Sequence, residues 1–422
     1  MHGPAPEDGS RRALSRRYEF AMLAILTLAN GVVALDRMVA AYLSPYLVKD
    51  LHLDNAELGW MASALSLSIA LSAVLGGQLV DRTGRRKATL LVCTLVFSVG
   101  SAAGGIASGF LMLLLARFLL GVAEGPMVPV SQTVLARISP PARRGFNQGF
   151  AQMAGAFGLA ATAGPVLTAW VADHFGWRRA FFLSGAPGLL LALAILLVMR
   201  RDPPRVTLPA GEAHRPAAFA TLLGTRNMRW VLMLAASFTA WLVLQNVFLP
   251  VWLTSVKHLT PIQMGSVLGV GGAAALVGGL LLPLASDALG RRTVCMASGA
   301  ATLIAPLAML VLPGNATTMA LAIFIGWLPL GMAPLFCSIV PSESVPPALA
   351  TSAVGLAMGT AELLGGVAAP AIVGPLADAF GLASVFWVCV GLALTTVLSA
   401  SMLTETAPRV LARRSRTLGS AA

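Results

Sequence analysis

The chain has 422 residues, of which 57% are hydrophobic and only 11% charged, and its mean hydropathy is +0.81. A soluble protein of this size carries roughly 25% charge, so a water-soluble globule is excluded, and no polar segment is long enough for an extramembrane domain. The net charge of +12 would suggest a nucleic-acid partner in a soluble protein; here the placement of basic residues between apolar segments explains it, and no nucleic acid is expected.

A membrane-spanning helix needs about 20 mostly apolar residues. Twelve segments qualify, near 20–46, 58–80, 88–108, 111–134, 146–172, 178–199, 229–254, 262–286, 293–312, 317–340, 348–376 and 382–404. The expected class is therefore an all-α, multi-pass membrane protein. A polar tail, 1–19, carries Arg11, Arg12, Arg16 and Arg17 and leads into the first segment without the pattern of a cleavable signal. Connections are short except for 201–228, rich in Pro and charge, which reads as a linker between six-helix halves at 20–200 and 229–404; a second tail follows at 405–422. Gly121/Gly125 and Gly355/Gly359 have the small-xxx-small spacing that lets helices approach closely in lipid. Cys93, Cys295, Cys337 and Cys389 all fall in apolar segments, as buried packing residues do; no metal or cofactor is expected.

Orientation follows from Lys and Arg. With twelve spans and the N-terminus inside, 23 of the 29 basic residues fall on the cytoplasmic side and 4 on the other. Both termini are thus expected in the cytoplasm, and the setting expected is a bacterial inner membrane.

The remaining two basic residues lie inside spans. Asp36 and Arg37 sit in the first span, Arg117 and Glu124 in the fourth and Glu362 in the eleventh. An ionisable group at mid-bilayer costs roughly 2.5–3.5 kcal/mol even on mild scales, and usually faces a partner or a water-filled path. Arginine keeps its charge in such a place and grips a carboxylate with two parallel hydrogen bonds. A carboxyl group in apolar surroundings favours its neutral form and can carry a proton. Asp36 beside Arg37 is expected to supply the counter-charge when the site is empty. Arg117 and Glu124, seven residues apart, share a helix face. Gln245 and Asn246 in the seventh span are candidates for the opposite wall of the same site, and a hydrogen bond between helices fits them equally well.

The chain also repeats itself. Asp81-x-x-Gly84-Arg85-Arg86 recurs as Asp287-x-x-Gly290-Arg291-Arg292, and Pro140-Pro141-Ala142 as Pro346-Pro347-Ala348, both displaced by 206. Gly149 maps to Gly355 at 206; then Pro165 maps to Pro370, Asp173 to Asp378 and Phe175-Gly176 to Phe380-Gly381 at 205. Six spans separate equivalent points, so the halves are parallel repeats about an axis along the membrane normal, an arrangement that places a substrate site between them near the midplane.

Gly77-x-x-x-Asp81-Arg82-x-Gly84-Arg85-Arg86-Lys87, with its weaker copy around Asp287 and Arg291, resembles the loop motif of the major facilitator superfamily over essentially all of 18–404. The resemblance implies twelve helices in two parallel six-helix repeats and alternating access. It also implies that Asp81, Gly84, Arg85, Arg86, Asp287 and Arg291 form a conformational latch. Gly84 would permit a tight turn.

Asn30 with Asp36-Arg37, and Gly121-Val-Ala-Glu124-Gly-Pro-x-x-Pro129, resemble the anion:cation symporter family, which includes galactonate and hexuronate transporters. That resemblance implies a proton-coupled transporter of a small organic anion. Arg37 would hold the carboxylate, Asp36 and Glu124 would carry protons, and Gln152 would bind substrate. Glu362 lies near the family's polar position in the eleventh span but out of register by about a residue, and is a third proton-coupling candidate.

Blander roles compete. Asp36-Arg37 also suits a structural ion pair, and Arg117, near one membrane face, suits a structural role better than substrate contact. The runner-up function is a spinster-like lysolipid exporter, which Asn30, Asp36-Arg37 and Arg117-x-x-x-Gly121-x-x-Glu124 also resemble; Trp177-Arg178…Phe181 suits either group. Drug export ranks third, because a fixed intramembrane arginine repels cations. No HExxH, GxSxG or P-loop pattern points to an enzyme. The expected partners are a small anion, protons and the bilayer, and the expected state is a monomer.

Overall fold

The computed structural model describes residues 9–140, 143, 147–151, 154–200, 222–346 and 349–411. Twelve helices among them are long and apolar enough to cross a membrane. In chain order they are α1 (Arg16–Leu51), α2 (Asn55–Val80), α3 (Arg86–Gly105), α4 (Phe110–Ile138), α5 (Asn147–Phe175), α6 (Trp177–Val198), α7 (Arg226–Val256), α8 (Pro261–Leu289), α9 (Arg291–Val311), α10 (Ala316–Glu343), α11 (Ser352–Phe380) and α12 (Ala383–Ser401). The helix of α1 begins as early as Gly9, inside the segment expected to be a tail. Most of the expected linker, 201–221, lies outside the described residues.

The internal repeat reaches into the turns. Asp54 opens α2 with a reciprocal capping box: Glu57 N–H donates to its carboxylate at 2.7 Å, and Glu57 Oε2 accepts from the Asp54 N–H at 3.1 Å. Thr260 and Gln263 build the same box at the start of α8, 206 residues on. The box satisfies amide donors that a helix start would otherwise leave orphaned. Just before each box stands a histidine with positive φ, His52 at 53° and His258 at 55°. Further along, α5 and α11 each contain a π-helical stretch at equivalent places, Ala154–Ala163 and Ala361–Ala368. The register slip from 206 to 205 falls within this region.

Close packing is built on glycine. A Cβ at Gly121 would lie 2.6 Å from the Leu65 carbonyl oxygen, and one at Gly125 would lie 2.6 Å from Ala73 N, so α4 and α2 touch along backbones. Ser72 Oγ fastens the pair by donating to the Gly121 carbonyl at 3.0 Å. Gly355 and Gly359 differ from the expectation: a Cβ on either meets nothing within 4 Å. They lie on an exposed face of α11.

The two halves meet through a pseudo-twofold pair of contacts. Gly59 of α2 abuts the Pro370 carbonyl of α11, and its counterpart Gly265 of α8 abuts the Pro165 carbonyl of α5, where a Cβ would come within 2.8 Å. Both contacts lie toward the end that carries the 51–55 turn. Toward the end that carries the termini, a Cβ on Gly149 or Gly158 of α5 would also meet nothing within 4 Å. Among the described residues the bundle is closed at the first end, with uncovered helix faces at the second.

At the termini end, Gly84 takes φ 69° and caps α2 through its N–H to the Val80 carbonyl, 2.7 Å away. Lys87 reaches from the start of α3 to the Leu196 carbonyl, 2.8 Å away, at the end of α6, where a cation suits the helix dipole. In the second half Arg291 bonds Asp287 at 2.6 Å and Glu343 at 3.2 Å. Glu405, in the expected tail, accepts from the Arg291 N–H at 2.8 Å and thereby caps α9. The side chain of Asp81 lies outside the described residues; Arg85 is exposed, and Arg86 Nη1 reaches the Gly84 carbonyl at 3.4 Å.

Candidate functional site

A cavity of about 210 Å³ opens between the halves, lined by α1, α2, α4, α7 and α11. Its wall is mostly apolar, with Met38, Leu58, Met61, Leu65, Leu242 and Val247 among the lining residues. Polar groups enter from Arg37, Ser44, Ser66, Arg117, Thr239, Asn246 and Glu362.

Arg37 projects into this cavity, and Glu362 meets it from the other half, Nη2 to Oε1 at 3.2 Å. Both side chains keep contact with solvent, 35% and 27% exposed. The counter-charge of Arg37 is thus Glu362 and not, as the adjacency suggested, Asp36. The reason is helical geometry: neighbouring residues point about 100° apart at 3.6 residues per turn. Where Arg37 faces the cavity, Asp36 faces the interior of the first half and is 0% exposed. There Ser184 Oγ donates to Asp36 Oδ1 at 2.8 Å, and Ser101 Oγ donates to the same oxygen. Asp36 Oδ2 has no partner.

Arg117 links the two compartments. It lines the cavity, donates through Nη1 to the Asp36 carbonyl at 3.1 Å, and lies over the Phe181 ring, 5.4 Å from its centroid. Its Nε and Nη2 have no hydrogen-bond partner. Glu124 is sealed in α4 at 4% exposure, with Oε1 unpartnered. It lies within electrostatic reach of Arg37, Asp36, Arg117 and Glu362. Asn30 donates to the Ala151 carbonyl at 3.4 Å and ties α1 to α5.

On the facing wall, Asn246 lines the cavity and donates to the Leu242 carbonyl at 2.9 Å. Gln245 does not line it: the side chain is 0% exposed, and neither amide atom has a partner. Gln152 lies outside the described residues. The arrangement therefore brings Arg37, Glu362, Asn246 and Arg117 to one cavity, and holds Asp36 and Glu124 behind it.

Ser101, Ser184, Thr239, Ser44 and Ser66 were not singled out by the sequence. A serine or threonine in an apolar helix satisfies itself by bonding back to its own backbone, so nothing marks the few that turn to a neighbour.

Similarity to known proteins agrees with this layout. A tetracenomycin C resistance and export protein of Streptomyces glaucescens is 32% identical over 42% of this chain and 32% of its own length; the chain thus spans about a third of that relative. A probable sulfoacetate transporter of Cupriavidus necator is 29% identical over 64% of this chain and 66% of its own. A D-galactonate transporter of Escherichia coli O6:H1 is 26% identical over 94% of this chain and 97% of its own. Among solved structures, a nucleoside transporter superposes with a TM-score of 0.79 at 15% identity, covering 92% of this chain and 100% of that one. An inward-facing bacterial homologue of the lysosomal transporter Spinster superposes with a TM-score of 0.69 at 19% identity, covering 92% and 95%. The family description of the Major Facilitator Superfamily matches residues 26–370, and the chain belongs to that superfamily of multi-pass membrane transporters.

Proposed function

We propose that this protein is a proton-coupled secondary transporter that moves a small organic anion, a carboxylate, by alternating access between its two six-helix halves. The observation that carries the reading is Arg37: a permanent cation, partly exposed, in a cavity between the halves. Two relatives are named for anions, galactonate and sulfoacetate, which supports the same substrate class.

In this reading Arg37 grips the carboxylate, and Asn246 and Thr239 face the rest of the substrate from α7. Gln152 and Gln245 complete the binding set in other conformations; the unpartnered amide of Gln245 gives it unused hydrogen-bonding capacity for a rearranged wall. Glu124 is the principal proton carrier, Asp36 is coupled to it through the Arg117 bridge, and Glu362 is the third acid. The segments 20–200 and 229–404 rock about the cavity, joined by 201–228. Asp81, Gly84, Arg85, Arg86, Asp287 and Arg291 bias which end is closed. The setting is a bacterial inner membrane, the end bearing both termini is cytoplasmic, and the working unit is a monomer.

The test is uptake of radiolabelled carboxylates into proteoliposomes under an imposed pH gradient. Arg37→Lys keeps the charge and loses the planar fork; it should weaken binding strongly with little loss of folded protein. Unchanged affinity in both Arg37→Lys and Arg37→Ala would remove Arg37 from the site and this reading with it.

The apolar wall favours one second reading, export of an amphipathic lipid of the lysophospholipid kind. Ligand binding to the folded state raises its apparent stability. Melting the purified protein with benzoate, gluconate or a lysophosphatidylcholine therefore separates the two: stabilisation by the lipid alone would favour export.

A further inference from the structure

We infer that Glu362 is a built-in competitor for the substrate's own binding group: it occupies Arg37 in the empty carrier, and a carboxylate enters once Glu362 is protonated and lets go. This rests on the reading of the protein as a carboxylate transporter.

The geometry begins with the bridge. Glu362 Oε1 sits 3.2 Å from Arg37 Nη2, the place a substrate carboxylate would take. Glu362 is the one carboxylate among the cavity's described lining residues. Two carboxylates sharing one guanidinium repel each other at close range, and the repulsion is strong where water is scarce. A bound monoanion therefore needs Glu362 neutral or displaced. With Glu362 protonated, the bound anion takes its place as the charge that balances Arg37.

The pair has no counterpart across the pseudo-twofold axis. The repeat puts Val243 where Arg37 stands, and Ala156 or Phe157 where Glu362 stands. The bridge joins α1 of one half to α11 of the other, so releasing it also frees a tie between the moving halves. Glu362 lies in the π-helical stretch Ala361–Ala368, a backbone form that recurs at functional sites.

The titratable and charged groups around Glu362 come from several helices. Arg37 faces it from α1; from α4 Arg117 lines the same cavity, and Glu124 lies within electrostatic reach of it, with Asp36 near Glu124. Cys337 lies within electrostatic reach on α10. From α2 and α7 the cavity receives Ser66, Thr239 and Asn246, none of which titrates. Of the acids, Glu362 is the one in contact with the binding cation and with solvent, and so the one whose protonation should govern binding.

The test is calorimetric titration of the purified full-length protein with benzoate and with gluconate at about pH 5.5 and about pH 8, values on either side of neutrality. Wild-type protein should bind more tightly at the lower pH. Glu362→Gln should bind roughly fivefold more tightly than wild type at the higher pH, the scale set by a partly exposed ion pair, and should lose the pH dependence. If Glu362→Gln does not yield monodisperse protein, Glu362→Asp serves: a shorter arm should raise affinity at the higher pH and keep the pH slope. A Glu362→Gln protein with wild-type affinity and slope overturns the inference while leaving Arg37-dependent carboxylate binding intact. Absence of carboxylate binding at either pH, in wild type and variants alike, overturns the transport reading and the inference together.

Discussion

Asp378 should hold the closed end shut. Its carboxylate caps α2 from the other half: Oδ1 accepts from the Asn55 N–H at 2.9 Å and from Asn55 Nδ2 at 2.7 Å, and Oδ2 accepts from the Ala56 N–H at 2.8 Å. A negative charge at an exposed helix N-terminus is worth about 0.3–1 kcal/mol, and a charged acceptor adds to each of the three hydrogen bonds, discounted here for exposure. Asp378→Asn keeps one oxygen acceptor but loses the charge and the second acceptor. A loss of about 1–2 kcal/mol is expected, which shifts the balance toward opening at this end by roughly 5- to 30-fold. Spin labels at Lys49 and Phe380, both exposed near this end on opposite halves, would report the change as a longer-distance population. The repeat supplies a control. Asp173 is the counterpart of Asp378, but Pro261 stands where Asn55 does and has neither an amide hydrogen nor a side-chain amide. Asp173→Asn should leave the distance distribution unchanged. An unaltered distribution in Asp378→Asn, or equal shifts in the two variants, would refute the latch.

Glu124→Gln imitates the protonated acid; it should still bind and exchange substrate but fail to concentrate it when driven by a pH gradient, and full proton-driven accumulation would reassign the carrier role to Glu362. Gly125→Val places a side chain where 2.6 Å separates a Cβ from the α2 backbone; overpacking of this kind costs about 1–3 kcal/mol or more and should lower the melting midpoint, whereas Gly359→Ala, with nothing within 4 Å, should not. Arg291→Ala removes bonds to Asp287 and Glu343 and should change the transport rate more than ligand affinity; abolished binding in folded protein would contradict a role in conformational balance.

The helices were legible because lipid leaves little freedom: a span must be long, apolar and internally hydrogen-bonded. The repeat was legible because turns need particular residues, and those residues recur. The site was legible only as a set of names. Charge at mid-span marked Asp36, Arg37, Arg117, Glu124 and Glu362 as costly, but cost does not say which face a residue takes. Asp36 and Arg37 are neighbours in sequence and part company in space; Gln245 and Asn246 do the same on the facing wall. The partner of Arg37 stands 325 residues away on a helix of the other half, and no local pattern encodes that meeting.

Symmetry explains the scaffold, and its breaches locate the chemistry. The capping boxes at Asp54 and Thr260, the left-handed histidines, the Gly59–Pro370 and Gly265–Pro165 contacts and the paired π-helical stretches all obey the repeat. These features let two similar bodies pack face to face. Among the positions that break it are Arg37 against Val243, Glu362 against Ala156 or Phe157, and Asn55 against Pro261. The first two make the ion pair in the cavity, and the third gives Asp378 a helix end to cap. Halves identical to the second at Arg37 and to the first at Glu362 would lack this ion pair, and identical caps at Asn55 and Pro261 would leave the two seams alike. A variant that restored symmetry, Asn55→Pro, should therefore weaken the Asp378 latch without altering the Arg37 site: spin-label distances at the closed end should lengthen while carboxylate affinity at fixed pH stays within about twofold, the scale of effects on distant, uncoupled sites. A large loss of affinity would show that the latch and the cavity act as one unit and that the division of labour drawn from the broken repeat is wrong.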